Sequence, residues 1–365
     1  MELVTMTGLL SGVRVVELGG LGPAAWTCTF LSDMGAEVLR VDQPGRTDLD
    51  FTENWMRGRA RLEIDLKESA GRERIKDLVA RADVIIDPFR PGVAERLGLG
   101  PDELTADNGR LIYGRLTGWG QDGPYARVAG HDGNFIATAG VLSTIGPADR
   151  PPIAPLYYAG DWASGTMPLL AGVLAALYER ERSGRGQVID AAMVDGAAMM
   201  LMQVLALRDR GAWTDARQSN QLDGAPWFHH TYRTLDDRYM IVAAIEHKFR
   251  RRVRETLGLS EKVALDEPDR WVADGQRVAE VFATRTQAEW EEIFAGVDAC
   301  VSPVRELSDL ESEPHLLARG VYQRIDGKLH PAPTPRFSRT PSSIHPQLDA
   351  EDLIGRWRTT LEDHR

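Results

Sequence analysis

The chain has 365 residues, 43% of them apolar and 27% charged, the composition of a globular protein long enough for two domains. Its net charge of -11 argues against nucleic acid or an anionic membrane as the main partner, yet leaves room for a phosphorylated small ligand gripped by a few local arginines. Two cysteines far apart, Cys28 and Cys300, exclude a disulfide framework and a metal-ligand spacing. VRVVEL (13–18) reads as a short buried strand that runs through GGLGP into a helix over about 24–34. AEVLRVD (36–42) is a second strand, closed by the turn signal QPGR. RLEIDL (61–66) is a third, followed by a charged amphipathic helix to about Arg81. DVIIDPF (83–89) and RLIYGRL (110–116) add two more, and strands alternating with helices predict a parallel sheet wrapped by helices.

An apolar helix is expected from Gly165 to Arg182, and QVIDAAM leads into a second one reaching about Arg210. HHTYRTLDDRYMIVAAIE (229–246) reads as two strands around a DDR turn, with mixed helices following to about Leu317. The Pro- and Ser-rich stretch after His330 reads as extended. The expected organisation is α/β: a Rossmann-like large domain over 1–210 and a smaller α+β domain over 225–325. With no leader-like segment and no apolar run long enough to span a bilayer, the expected location is the cytoplasm, without membrane insertion.

Five features carry chemistry. Gly20-Leu21-Gly22-Pro23-Ala24-Ala25 fits G-x-G-x-x-A between a strand and a helix, with Asp42 about twenty residues on, as a dinucleotide site wants. The same residues also serve a plain sharp turn in which Pro23 starts the helix. Arg90 directly follows a buried strand and Arg96 stands six residues later, so two guanidiniums could grip a pyrophosphate, or simply lie on the surface. His131, in AGHD, precedes a small-residue helix whose N-terminus would favour the neutral imidazole, a base. Asp161, in YYAGDWASG, precedes the apolar helix as either a cap or an acid, where free N–H groups could hold an oxyanion. Glu246 closes the strand MIVAAIE, the ordinary place for a solvated carboxylate.

In order along the chain, LSGVRVVEL, SDMGAEVLRVD, RPGVAERLGLG, TGWGQDGP, AGHD, GD before the long helix, GRGQVIDAAMVDG, DACVSPV and PAPTPRFSRTPSS closely resemble the family III coenzyme A transferases, and within them the racemase branch. The resemblance implies an interlocked homodimer, with residues 330–365 returning to the large domain. A CoA site then takes the place of the dinucleotide reading. It implies that His131 and Asp161 exchange the α-proton of a 2-methylacyl-CoA from opposite faces of an enolate, while Glu246 pairs with His131 across the subunit boundary. Arg90 and Arg96 match positions that bind the CoA phosphates, Ile64 and Lys67 match positions lining the nucleotide pocket, and Gly130 lies where the pantetheine arm passes. Gln43 stands where the racemases carry an arginine against adenine, a departure that weakens the expected grip on CoA. No metal and no prosthetic group is expected, since CoA arrives as part of the substrate. Met193, Met199, Met200 and Met202 would give the acyl group an adaptable surface, or else pack a buried helix.

Three rivals remain at this stage. A transferase of the same family would use Asp161 as a nucleophile towards an acyl anhydride, but that branch lacks the histidine of AGHD. A non-catalytic acyl-CoA binder and an NAD-dependent oxidoreductase complete the set.

Overall fold

A computed structural model of the chain describes residues 7–46 and 55–359. Two compact units emerge, one formed by 1–139, 155–200 and 318–365, the other by 140–154 and 201–317. Each has its own core.

In the first unit β1 (Arg14–Leu18) leads through three glycines into α1 (Pro23–Asp33). β2 (Glu37–Asp42), β3 (Arg59–Glu63), α2 (Ser69–Val79), β4 (Val84–Asp87), the short α3 (Val93–Arg96), α4 (Pro101–Asp107), β5 (Ile112–Thr117) and α5 (Asp132–Thr138) follow. A π-helical turn over Tyr158–Thr166 runs into α6 (Met167–Ser183), then β6 (Val188–Ala192) and α7 (Met193–Met200). The six strands form one parallel sheet in the order β3-β2-β1-β4-β5-β6. Alternate residues serve opposite faces: Val15, Val38, Val84 and Ile86 pack on α1 and α6, while Val16, Leu39, Ile85 and Tyr113 pack on α2 and the C-terminal helix.

The sheet's order reverses between β1 and β4, and in open α/β sheets a ligand crevice forms beyond the strand ends at that point. Gly20 is required there, because a Cβ on it would stand 2.8 Å from the Pro88 ring in the loop after β4. Beneath this loop lies a fully buried charge network. Glu17 pairs with both Arg40 and Arg59, and Arg40 Nη2 donates to the Gly20 carbonyl at 2.8 Å.

The second unit holds α8 (Met202–Asp209), an antiparallel sheet in the order β7-β8-β9 (His229–Arg233, Tyr239–Ala243, Val301–Pro303), and α9 (His247–Thr256), α10 (Trp271–Phe282) and α11 (Gln287–Phe294). Its core stacks Trp227, Phe228 and Tyr232 with Phe282, Trp290 and Phe294. α12 (Pro314–Arg319) leads back to the first unit, where a hairpin of β10 (Tyr322–Ile325) and β11 (Lys328–Pro331) precedes α13 (Ala350–Thr359).

Three local expectations change. VIDAA is the sixth strand of the sheet rather than the approach to a helix. It sits at the edge, half exposed, so it lacks the continuous apolar run of a central strand. The apolar helix expected to reach Arg210 is two helices, broken at Leu201. The stretch after His330 is extended only as far as Asp349, where α13 begins and buries Leu353, Ile354 and Trp357 against the sheet. Among the described residues no helix is long and apolar enough to cross a membrane.

Candidate active site

A cavity of about 330 Å³ opens at the reversal point of the sheet, within the first unit. Three strand-end loops wall it: Leu21–Ala24 after β1, Pro88–Pro91 after β4 and Leu116–Trp119 at the end of β5. Trp119 and Phe135 meet edge to face at 4.9 Å on one side. His131, Asp161, Gly130 and Arg90 all line this one space.

His131 is the N-cap of α5, with its ring exposed. Its backbone N–H donates to Asn134 Oδ1 at 3.0 Å, which fixes the entry into the helix. The next residue, Asp132, is buried and turns its carboxylate towards the π-helical turn. Its Oδ2 accepts from the Gly160 and Asp161 N–H groups, at 2.7 and 2.8 Å. Asp132 is the residue that sequence reasoning missed. Its only signal was its place beside His131 in AGHD. Through it, the cap bearing His131 and the turn bearing Asp161 are tied together.

Gly160 makes the tie sterically possible. A Cβ there would lie 2.8 Å from both Cα and Cγ of Asp132. The turn is π-helical rather than a simple cap, so Asp161 sits inside a widened helix that continues into α6. Its carboxylate reaches across to the start of α1, where Oδ2 lies 3.6 Å from the Cβ position of Gly22. Gly22 caps α1 with φ 69°, and Pro23 follows it in the first turn.

The expectation that N–H groups beside Asp161 are free for an oxyanion does not hold, because those of Gly160 and Asp161 are taken by Asp132. The first turns of α1 and α5 open onto the cavity instead, and helix starts carry N–H groups without intrahelical partners. Burial first, and the neighbouring Asp132 carboxylate second, push the Asp161 carboxyl up to about 6, against the downward pull of His131. His131 and Asp161 thus line one cavity.

Arg96 lies on α3, outside the cavity lining, while Arg90 is part of it; both side chains are exposed. Gln43 and Lys67 come together at Asp65, whose Oδ1 accepts from the Gln43 side chain at 3.4 Å and from the Lys67 backbone at 2.9 Å. Ile64, beside them, is buried in the main core with Leu18 and Leu39. Asp42 is no free ribose acceptor, since it is buried and held by Arg40 at 2.8 Å and Arg61 at 3.3 Å. Glu246 belongs to the second unit, where it is the exposed N-cap of α9. Burial, then the charges of Glu246 and Asp298, raise the nearby Cys300 thiol. Among the described residues no cluster of three His, Cys, Asp or Glu could hold a metal ion.

The family model for CoA-transferase family III matches residues 10–350. The chain is 43% identical to an alpha-methylacyl-CoA racemase of Mus musculus, over 92% of this chain and 88% of the relative. It is 40% identical to the alpha-methylacyl-CoA racemase of Homo sapiens, over 95% of this chain and 90% of that one. Among solved structures, a CaiB/BaiF family protein from Brucella suis superposes with a TM-score of 0.81 at 26% identity, covering 96% of this chain and 99% of its own.

Proposed function

The chain belongs to CoA-transferase family III, and within it we propose that it interconverts the (2R) and (2S) forms of 2-methylacyl-CoA thioesters. The observation that carries this reading is the pairing of His131 with Asp161 on one cavity at the sheet's reversal point. Inversion at carbon needs one group to take the α-proton and another to return a proton to the opposite face of the planar enolate. An imidazole and a carboxyl raised towards the working pH suit that exchange better than an ordinary carboxylate would.

In this reading the thioester carbonyl sits near the first turns of α1 and α5, whose N–H groups stabilise the enolate oxygen. Arg90 and Arg96 take CoA phosphates, and Gln43, Lys67 and Ile64 flank the nucleotide. Gly130 passes the pantetheine arm. Glu246 of the partner subunit orients His131 in a homodimer, a role supported by its exposed position at a helix start. No metal or prosthetic group takes part.

The test is α-hydrogen exchange. A single enantiomer of a 2-methylacyl-CoA is incubated in deuterated water with the purified protein and no acceptor acid. Deuterium at the α-carbon, with loss of optical purity and dependence on both His131 and Asp161, is the expected result. No exchange, together with CoA transfer to an added free carboxylic acid, would replace this reading with nucleophilic use of Asp161.

A further inference from the structure

Arg90 and Arg96 are both exposed, on the loop after β4 and on α3. Their guanidinium groups make no hydrogen bond or ion pair among the described residues, so both are available to a ligand. A carboxylate nevertheless stands beside them. Glu95 is the third residue of α3, one turn from Gly92, the cap of that helix. The Arg96 guanidinium lies against the same glycine, with Nη1 3.3 Å from its Cβ position. A free Glu95 could neutralise the cation next to it.

What holds it away is Arg115. This buried side chain comes from β5 and places Nη2 2.8 Å from Glu95 Oε1. In the sheet Arg115 pairs directly with Asp87, the last residue of β4, with Nε 3.7 Å from its carboxylate. Asp87 also takes the Phe89 N–H at 2.8 Å and the Tyr113 hydroxyl at 3.1 Å, so it sets the loop from which Arg90 projects. One buried cation thus faces two carboxylates, both adjoining the loop and short helix that carry the two exposed arginines.

We propose that Arg115 is a positioning residue for CoA binding: it sequesters Glu95 and Asp87, and so keeps Arg90 and Arg96 free for the phosphates of the ligand. The inference rests on the CoA-thioester reading but not on racemisation. A simple structural brace would be indifferent to which half of the Arg115–Glu95 pair is removed. A sequestering cation is not, because losing Arg115 releases a competing carboxylate, while losing Glu95 removes the competitor itself.

The experiment measures the Kd of CoA by titration calorimetry for wild type, Arg115→Gln, Glu95→Gln and the double variant. Glutamine at 115 keeps a donor for Asp87, and thermal melts confirm folding. Arg115→Gln should weaken CoA about tenfold, Glu95→Gln should change it less than about twofold, and adding Glu95→Gln to Arg115→Gln should restore most of the loss. Thioesters of pantetheine, which carry no phosphate, should be exchanged equally by all four proteins. Equal losses in the two single variants, or a double variant as weak as Arg115→Gln, would overturn the proposal. A wild-type chain that does not bind CoA would overturn it together with the reading beneath it. CoA binding without α-hydrogen exchange would remove racemisation and leave the clamp standing.

Discussion

Replacing Asp161 by asparagine should make the protein more stable while removing its activity, and the gain should depend on pH. The carboxyl rises from an ordinary 3.8 to about 6 in the folded chain, because burial and the Asp132 charge disfavour ionisation. A raised acid binds its proton more tightly folded than unfolded. Stability therefore falls as pH climbs from about 4 to about 6, and above that window the whole penalty is present. A shift of about two units is worth about 3 kcal/mol for a fully desolvated group. Asp161 is only half-buried, so solvent screening reduces this to about 1–2 kcal/mol. Asparagine is neutral and nearly isosteric, so it escapes the penalty. At an unfolding entropy of about 2.1 cal/mol/K per residue, the expected rise in Tm at pH 8 is about 1–3 °C, shrinking to about a third of that at pH 4.5. Paired thermal scans at the two pH values, beside the exchange assay, provide the check. A variant that melts below wild type at pH 8, or whose advantage is the same at both pH values, refutes the electrostatic reasoning. Loss of exchange by a factor of about 10² or more is expected in the same protein.

Gly160→Ala should push the π-helical turn off Asp132 and displace Asp161, lowering kcat by about 10² with a smaller change in KM; wild-type kinetics would show that the close approach is not needed. In the proposed homodimer, Asp161→Asn and Glu246→Gln should each be inactive alone. Random reassembly of the two should restore about a quarter of wild-type activity, since half the dimers are mixed and each has one intact site; no recovery places Glu246 in its own subunit's site. Glu17→Ala should lower stability by about 3–5 kcal/mol in urea unfolding by taking the carboxylate from buried Arg59 and leaving Arg40 with Asp42, and a loss below about 1 kcal/mol would show the network to be dispensable. The pH profile of exchange should have an acid limb near 6, and Asp132→Asn should move it downward by removing the neighbouring charge; a profile flat to pH 4.5 excludes a raised Asp161.

The parallel sheet was legible because its central strands are buried on both faces, which prints VRVVEL and DVIID as mostly apolar stretches. β6 escaped because an edge strand buries only part of itself, and small residues shared with the following helix hid the change of period. His131, Asp161 and Arg90 stood out as reactive types at element ends, and the structure gathers them on one cavity. Asp132 had no separate signal. Its role exists only because a turn 28 residues later folds back onto it. The Arg115–Glu95 contact is hidden in the same way, since it depends on the register of β5 against β4 and on where α3 lands. Asp42 shows the opposite failure: its spacing suited a ribose acceptor, but the register of β2 gives it to Arg40 and Arg61. Spacing reports residue types, whereas partners are chosen by the fold.

The raised Asp161, on one cavity with His131, suits what the proposed inversion demands. In the proposed reaction the carboxylate takes the proton in one direction and the imidazolium returns one; in the other the neutral imidazole takes it and the carboxylic acid returns one. Both starting states hold a single proton between the two groups and differ only in where it sits. Their populations are comparable only if the two proton affinities are similar. Raising Asp161 to about 6 takes it well away from an ordinary carboxyl, in the direction such a match needs. Asp132 contributes to this matching twice, through the charge that raises Asp161 and through the two hydrogen bonds that hold it opposite His131. A nucleophilic carboxylate would need no such match with a histidine, so a raised Asp161 on one cavity with His131 favours the proposed racemisation over nucleophilic use of Asp161.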